Sequence, residues 1–257
     1  MADIIEFSDS LTLDAELNNI IHGDCLQVMR AMPSRCIDVI ITSPPYNLLN
    51  STGNGLKKNT NCGKWKNAAI KDGYNQYNDN MPYKKYIEWQ KECVAEMVRI
   101  IKDDGAIFYN NKNRVQNGLI QDRGEIVREF PLRQVITWKR SGAINFNPGY
   151  FLPTTEQIYL ICRKPFRLAK GANKFTDVWE IKQEMQNPHP APFPEELIDR
   201  IVQSTTGNII LDPFCGSGTT AISALRFGRQ FIMIEQSKVY CELSKARING
   251  EENWRNV

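Results

Sequence analysis

The chain has 257 residues, 42% of them hydrophobic and 24% charged, and a net charge of only +3. That length suffices for one large α/β domain with a full core, or for a domain plus a small lobe. The balance excludes a uniformly basic polyanion binder, and no apolar run nears the roughly 18 residues that a membrane-spanning helix requires. Met1-Ala2-Asp3-Ile4-Ile5-Glu6 carries acids where a signal peptide carries positive charge, which predicts an intracellular, cytoplasmic protein. Seven cysteines, at 25, 36, 62, 93, 162, 215 and 241, are scattered without a CxxC pair, and only His22 and His189 could assist them. The pattern predicts neither a metal site nor a disulfide framework.

Residues 1–17 read as a polar, loosely held arm. A short apolar strand at 19–22 ends in Gly23-Asp24, and helical spacing follows over 25–32 until Pro33 stops it. The β-branched run 37–42 is a second strand and leads into Ser43-Pro44-Pro45-Tyr46-Asn47. From 48 to 80 the apolar pattern vanishes, and Lys57, Lys58 and Lys64 are interleaved with Trp65, Tyr74 and Tyr77. A loop this long is either a solvated insertion or a flap that touches nucleic acid. Residues 83–101 show the clearest helical periodicity. A third strand is expected at 106–109, a polar helix near 114–129, and two further strands at 134–138 and 156–162. Residues 163–187 mix Arg163, Lys164 and Arg167 with aromatics, the proline-rich run 188–194 is rigid, and a helix covers 195–203. Alternating strands and helices predict a mostly parallel α/β sheet.

Near the end, Ile209-Ile210-Leu211 feeds into Asp212-Pro213-Phe214-Cys215-Gly216-Ser217-Gly218-Thr219-Thr220, and helical character resumes at 221–225. Glycine allows positive φ and close approach of a ligand to the backbone, and a helix start offers free N–H donors. The next strand, 231–234, ends in Glu235, about 20 residues beyond Gly216, where doubly wound sheets hold a nucleoside ribose. The three features together predict a cofactor cradle, placed late in the chain although such turns normally follow the first strand. Ser43-Pro44-Pro45-Tyr46 offers fixed carbonyls, a hydroxyl and a flat ring at a strand end. It suits a planar base with an amino group, or it is simply a proline-rich turn.

Thr42-Ser43-Pro44-Pro45-Tyr46-Asn47 resembles the catalytic motif of DNA amino-methyltransferases, and the segment from Asp212 to Thr220 resembles their S-adenosylmethionine motif. His189-Pro190-Ala191-Pro192-Phe193-Pro194 is similar to the segment that precedes that motif in the β-group of the family, in which the catalytic half comes first. The resemblance implies a Rossmann-like methyltransferase fold, with a mostly parallel seven-stranded sheet, helices on both faces and a permuted motif order. It implies one catalytic domain over 1–257, with a catalytic half at about 19–162 and a cofactor half at about 188–250. A flexible insertion at 48–80 and a small target-recognition region at about 139–187 complete the expected organisation.

Carried over to this chain, Ser43, Pro44, Pro45 and Tyr46 would be catalytic. Asp24, Cys25, Ser43, Pro192, Phe193, Asp212, Pro213, Phe214, Gly216, Ser217, Gly218, Thr219, Thr220, Glu235 and Gln236 would surround S-adenosyl-L-methionine, which becomes S-adenosyl-L-homocysteine. Lys57, Lys58, Lys64, Lys139, Arg140, Arg163, Lys164 and Arg167 would contact double-stranded DNA. Serine before Pro-Pro-Tyr resembles the cytosine-N4 subgroup, with adenine N6 as the alternative acceptor. RNA or protein methylation, or a DNA-binding relative without turnover, are the more distant readings. No membrane partner is expected, and a cognate restriction endonuclease and the choice between monomer and homodimer stay open.

Overall fold

The computed structural model describes residues 1–8, 12–47, 80–142, 148–189 and 191–256. Apolar, β-branched strands occupy the middle of its sheet, because only there are both faces covered. In chain order the elements are β1 (Ile4–Glu6), α1 (Leu13–Glu16), β2 (Asn19–His22), α2 (Cys25–Ala31) and β3 (Ile37–Thr42). Then come α3 (Tyr83–Ile100), β4 (Ile101–Asn111), β5 (Arg114–Gln116), β6 (Leu119–Gln121), β7 (Leu132–Lys139), β8 (Thr155–Cys162) and β9 (Val178–Glu180). The last third holds α4 (Glu195–Gln203), β10 (Ile209–Asp212), α5 (Thr219–Arg226), β11 (Gln230–Glu235) and α6 (Lys238–Ile248).

The main sheet runs β1-β2-β11-β10-β3-β4-β8-β7-β9, and every pair is parallel except β4 with β8 and β8 with β7. Among the described residues it therefore has nine strands where seven were expected. The additions, β1 and β9, are three-residue edge strands, too short to show a pattern in the sequence. Alternate residues of each strand feed two cores. Val39 and Ile41 pack with Leu197, Ile201, Ala221 and Ala224 of α4 and α5, while Ile40 packs with Val28 and Met29 of α2 and Val94 and Met97 of α3. Helices thus cover both faces.

Three local expectations are corrected. The arm 1–17 is anchored: β1 pairs with β2, and the Ala2 backbone exchanges hydrogen bonds with the Asn249 side chain at 2.8 and 3.0 Å. The helix near 114–129 is a hairpin, β5 with β6, followed by a short 3-10 turn at Arg123–Ile126. Asn117 and Gly118 turn the hairpin at φ +52° and +76°, the conformation that an Asn-Gly pair favours. The strand expected at 106–109 is longer, since β4 also takes in Lys102, Asp103 and Asp104 and starts where α3 stops.

The antiparallel β8 places the basic expectation of 163–167 at the wrong end of the sheet. Cys162 pairs with Ala106, at the amino-terminal end of the stretch of β4 that pairs with β8, so Arg163, Lys164 and Arg167 lie away from the carboxyl ends of the parallel strands. Arg163 donates to the carbonyls of Val98 and Ile101 at 2.7 and 3.1 Å, and Arg167 to those of Lys164 and Phe166. Arg163 locks the α3–β4 junction. Replacing it with alanine is expected to cost about 1–2 kcal/mol in urea unfolding and to leave the salt dependence of DNA binding unchanged.

Candidate active site

Chain connections leave the centre of the sheet in opposite directions. From β10 the chain passes through α5 to β11 on one side, and from β3 through α3 to β4 on the other. Such a switch point opens a crevice at the carboxyl ends of the strands. Here β10 and β3 are direct neighbours, with Ile210 opposite Val39 and Leu211 opposite Ile40. The turn at 43–46 and the glycine loop at 212–220, far apart in sequence, therefore emerge side by side.

Asp212 joins them. It is buried, and its Oδ1 accepts from Thr42 Oγ1 at 2.8 Å and from the Phe214 N–H at 3.1 Å, while Oδ2 accepts from Thr220 Oγ1 at 2.7 Å. Burial pushes its carboxyl up to about 6, against the pull of those three donors. Both oxygens are bonded within the protein, so Asp212 ties the two loops together, and it also lines a recess beside the crevice. Arg247 of α6, which the sequence gave no reason to single out, braces the loop from behind. It is buried, donates to the Ser217 carbonyl at 3.0 Å and to Thr219 Oγ1 at 2.8 Å, and pairs with Glu195 at 2.8 Å. Gly216 and Gly218 sit at φ +52° and +75°; a β-carbon on Gly218 would lie 2.3 Å from Ser244 Oγ.

The crevice encloses about 590 Å³ of space open to solvent on one side. Gly23, Asp24, Cys25, Ser43, Pro45, Pro213, Phe214, Glu235 and Gln236 line it, as the sequence reading expected for most of them. Trp89, His189 and Tyr240 also line it and were missed. Trp89 comes from α3 and stands edge-on to Phe214, with ring centroids 5.8 Å apart. His189 lies 4.8 Å from the Tyr240 ring, and a β-carbon on Gly216 would meet its Nε2 at 2.7 Å. Enclosure holds the His189 imidazole down to about 4, so it is neutral at pH 7. An adjoining recess of about 300 Å³ is lined by Pro192, Phe193, Ser217, Thr219 and Thr220, and it shares Ser43, His189 and Phe214 with the crevice.

Two acids face the crevice. Asp24 caps α2, accepting from the N–H groups of Leu26 and Gln27 at 3.0 Å. Glu235 ends β11 and takes the Gly216 N–H at 2.9 Å on Oε2 and the Ser237 N–H at 2.9 Å on Oε1. Burial pushes Glu235 up to about 7 despite those donors. The thiol of Cys215, inside the loop, is pushed well above its ordinary value by burial.

At the turn after β3, Ser43 Oγ and Tyr46 OH are 2.6 Å apart, and Tyr46 OH donates to Glu156 Oε2 at 3.1 Å. Asn110 of β4 reaches Tyr46 OH at 2.8 Å and Glu156 at 2.9 Å. The Pro45 carbonyl accepts from Tyr86 OH at 3.0 Å. Arg114 and Arg123 donate to the backbone carbonyls of Asn47 and Tyr46 at 2.5 and 3.4 Å, fixing the turn from below. Asn47 pairs in both directions with the Met81 backbone at 2.7 and 2.8 Å, closing the stem of the segment between them. Of the expected DNA contacts, Lys57, Lys58 and Lys64 lie outside the described residues. Lys139 is exposed and paired with Glu180 at 2.8 Å. Arg140 is turned inward onto Glu156 at 3.5 Å and the Pro153 carbonyl at 2.8 Å, which removes it from the surface that a phosphate could reach.

A carboxyl raised in the folded state binds its proton more tightly there than in the unfolded chain, so it contributes stability at low pH that is lost as pH rises through the folded value. For Glu235 that window runs from the ordinary carboxylate range up to about 7. Urea unfolding of wild type and Glu235→Gln should show the difference in stability turning against the wild type as pH rises from about 5 to about 8.

The sequence profile of the DNA methylase family matches residues 37–246. The Type II methyltransferase M.BglII of Bacillus subtilis is 28% identical over 93% of this chain and 71% of its own length. The Type II methyltransferase M2.MboI of Moraxella bovis is 29% identical over 89% of this chain and 86% of its own. Among solved structures, PvuII DNA methyltransferase (cytosine-N4-specific) superimposes with a TM-score of 0.70 at 17% identity, over 91% of this chain and 86% of that one. The M1.HpyAVI–SAM complex gives 0.57 at 20% identity, over 90% and 98%. These likenesses show a shared fold. With the profile spanning both the turn at 43–46 and the glycine loop, the chain belongs to the DNA methylase family, the S-adenosylmethionine-dependent amino-methyltransferases of the N4/N6 type.

Proposed function

We propose that this chain is a site-specific enzyme that methylates the exocyclic amino group of a flipped-out base in duplex DNA, with cytosine N4 the favoured acceptor. One observation carries the reading: the Ser43-Pro44-Pro45-Tyr46 turn and the glycine loop share one crevice and are tied through Thr42 and Asp212. Serine at 43 is the feature that favours cytosine, and adenine N6 is the alternative. The Type II names of the relatives support a pairing with a restriction endonuclease.

The crevice fits a nucleoside-bearing cofactor. Gly216 lets the loop backbone lie against the His189 ring where a β-carbon would collide, and Glu235 presents a carboxylate at the end of the adjacent strand. When bound, S-adenosylmethionine supplies a methyl group activated on a sulfonium. Glu235 would accept from the ribose hydroxyls, Asp24 would face the adenine, and Phe214 and Trp89 would wall it. His189, neutral at pH 7, adds no charge to repel the sulfonium.

An exocyclic amine is a weak nucleophile because its lone pair is delocalised into the ring. Ser43 Oγ and the Pro44 carbonyl would accept its two N–H bonds and draw the nitrogen toward a pyramidal shape, while the Tyr46 ring holds the base. Transfer then depends on alignment rather than on a covalent enzyme intermediate, in keeping with the inert Cys215 thiol. Because the amine lies inside the duplex, the base must leave the stack. Leu119 and Ile120 of the β5–β6 hairpin and Phe151 before β8 stand exposed beyond the carboxyl ends of the strands, where the duplex would approach. The described part of the 139–187 region is partly built into the sheet as β9, so target recognition would fall to its remaining loops.

Incubating duplex DNA, RNA and protein separately with methyl-labelled cofactor should label DNA alone, and digestion to nucleosides should release N4-methylcytosine. Label only in RNA or protein would end the reading, and N6-methyladenine as sole product would transfer it to the alternative. Tyr46→Ala should lower kcat by about 10²-fold or more with cofactor affinity nearly unchanged; equal losses in both would remove Tyr46 from the base. Cofactor affinity measured by calorimetry should weaken as pH falls below about 7, since protonated Glu235 is a poorer acceptor for ribose hydroxyls. Glu235→Gln should flatten that dependence.

A further inference from the structure

We propose that Glu156 is a positioning residue that sets the direction of a hydrogen-bond chain through Tyr46 and so leaves the Ser43 hydroxyl as an acceptor for the target amine. The proposal rests on the amino-methyl transfer argued above. Glu156 is the second residue of β8, is 5% exposed and pairs through Oε1 with Arg140 at 3.5 Å. As a carboxylate it can only accept. Its Oε2 therefore takes the Tyr46 hydroxyl proton at 3.1 Å and an Asn110 Nδ2 proton at 2.9 Å. This also orients the Asn110 amide, because the flipped form would set oxygen against oxygen.

With its proton committed to Glu156, the Tyr46 oxygen has lone pairs alone to offer to its other neighbours. It accepts from Asn110 Nδ2 at 2.8 Å, and in the 2.6 Å contact with Ser43 the serine must be the donor. The only proton on Ser43 Oγ then points at Tyr46, which leaves its lone pairs to accept, with Asn110 Nδ2 a distant donor at 3.4 Å. A serine hydroxyl otherwise rotates freely between donor and acceptor, and as a donor it would oppose the N–H bonds of an incoming amine. A buried charge on β8 thus gives a neutral serine the acceptor-only character of a carboxylate. Sequence reading missed this role because Glu156 and Asn110 stand on strands far along the chain from Ser43.

In Glu156→Gln the amide oxygen is the group suited to Arg140, which turns the amide N–H₂ toward Tyr46. The chain reverses, and Ser43 ends as a donor toward the base. We expect kcat for DNA methylation to fall about 10²-fold, with KM for DNA and cofactor affinity within about twofold. Tyr46→Phe cuts the chain, so Glu156→Gln should cost nothing further in that background. Protein labelled with ¹³C at the tyrosine Cζ supplies a readout that needs no turnover. The resonance lost in Tyr46→Phe should move in Glu156→Gln, as its hydroxyl stops donating to a charge. An unmoved resonance overturns the proposal, and so does a loss in the Tyr46→Phe background equal to that in wild type. If no DNA is methylated by the wild type, the amino-transfer reading fails by itself, while the resonance still decides the order of the chain.

Discussion

A single buried carboxylate, Asp212, holds the turn after β3 and the glycine loop in register. Its three donors come from the end of β3, the glycine loop and the first turn of α5, and none of them reaches solvent with ease. Two hydroxyls and one backbone N–H on one acid define a geometry that neither loop would keep alone, because each follows a strand end where regular hydrogen bonding has stopped. The cost is visible in the acid itself, which burial drives up to about 6. Packing around it is equally constrained, since Gly218 leaves no room for a β-carbon beside Ser244 and Arg247 fills the space behind the loop.

The electrostatics of the crevice follow from the same enclosure. Burial raises Glu235 to about 7 and lowers His189 to about 4, so near neutral pH the imidazole is uncharged and the Glu235 carboxyl is only partly ionised. Around the turn at 43–46 the balance is different. Glu156 keeps Arg140 beside it, and two further donors fall on one oxygen, so its charge is held where it can orient hydroxyls.

Several elements were legible in the residues. Long periodic or β-branched runs gave β2, β3, β10, α3 and α4 with nearly their observed ends, because patterns of several residues outweigh local noise. The edge strands β1 and β9 were not, since three residues carry no period, and their places depend on neighbours contributed by other parts of the chain. The hairpin at 114–121 was readable but missed. Its Asn-Gly signal was outweighed by polar composition, which suits an exposed helix or an exposed hairpin equally well.

The sequence by itself determined the family, through its motifs, and the sheet class, because alternating apolar runs, glycines and prolines constrain local backbone geometry wherever they occur. Tertiary structure decided which side chains meet. Parallel pairing of β10 with β3 brought Thr42 to Asp212, and the antiparallel turn of β8 carried Glu156 to Tyr46 while taking Arg163 to the opposite end. Strand order and direction are properties of the whole sheet, set by how its faces are covered, and no local stretch of sequence contains them.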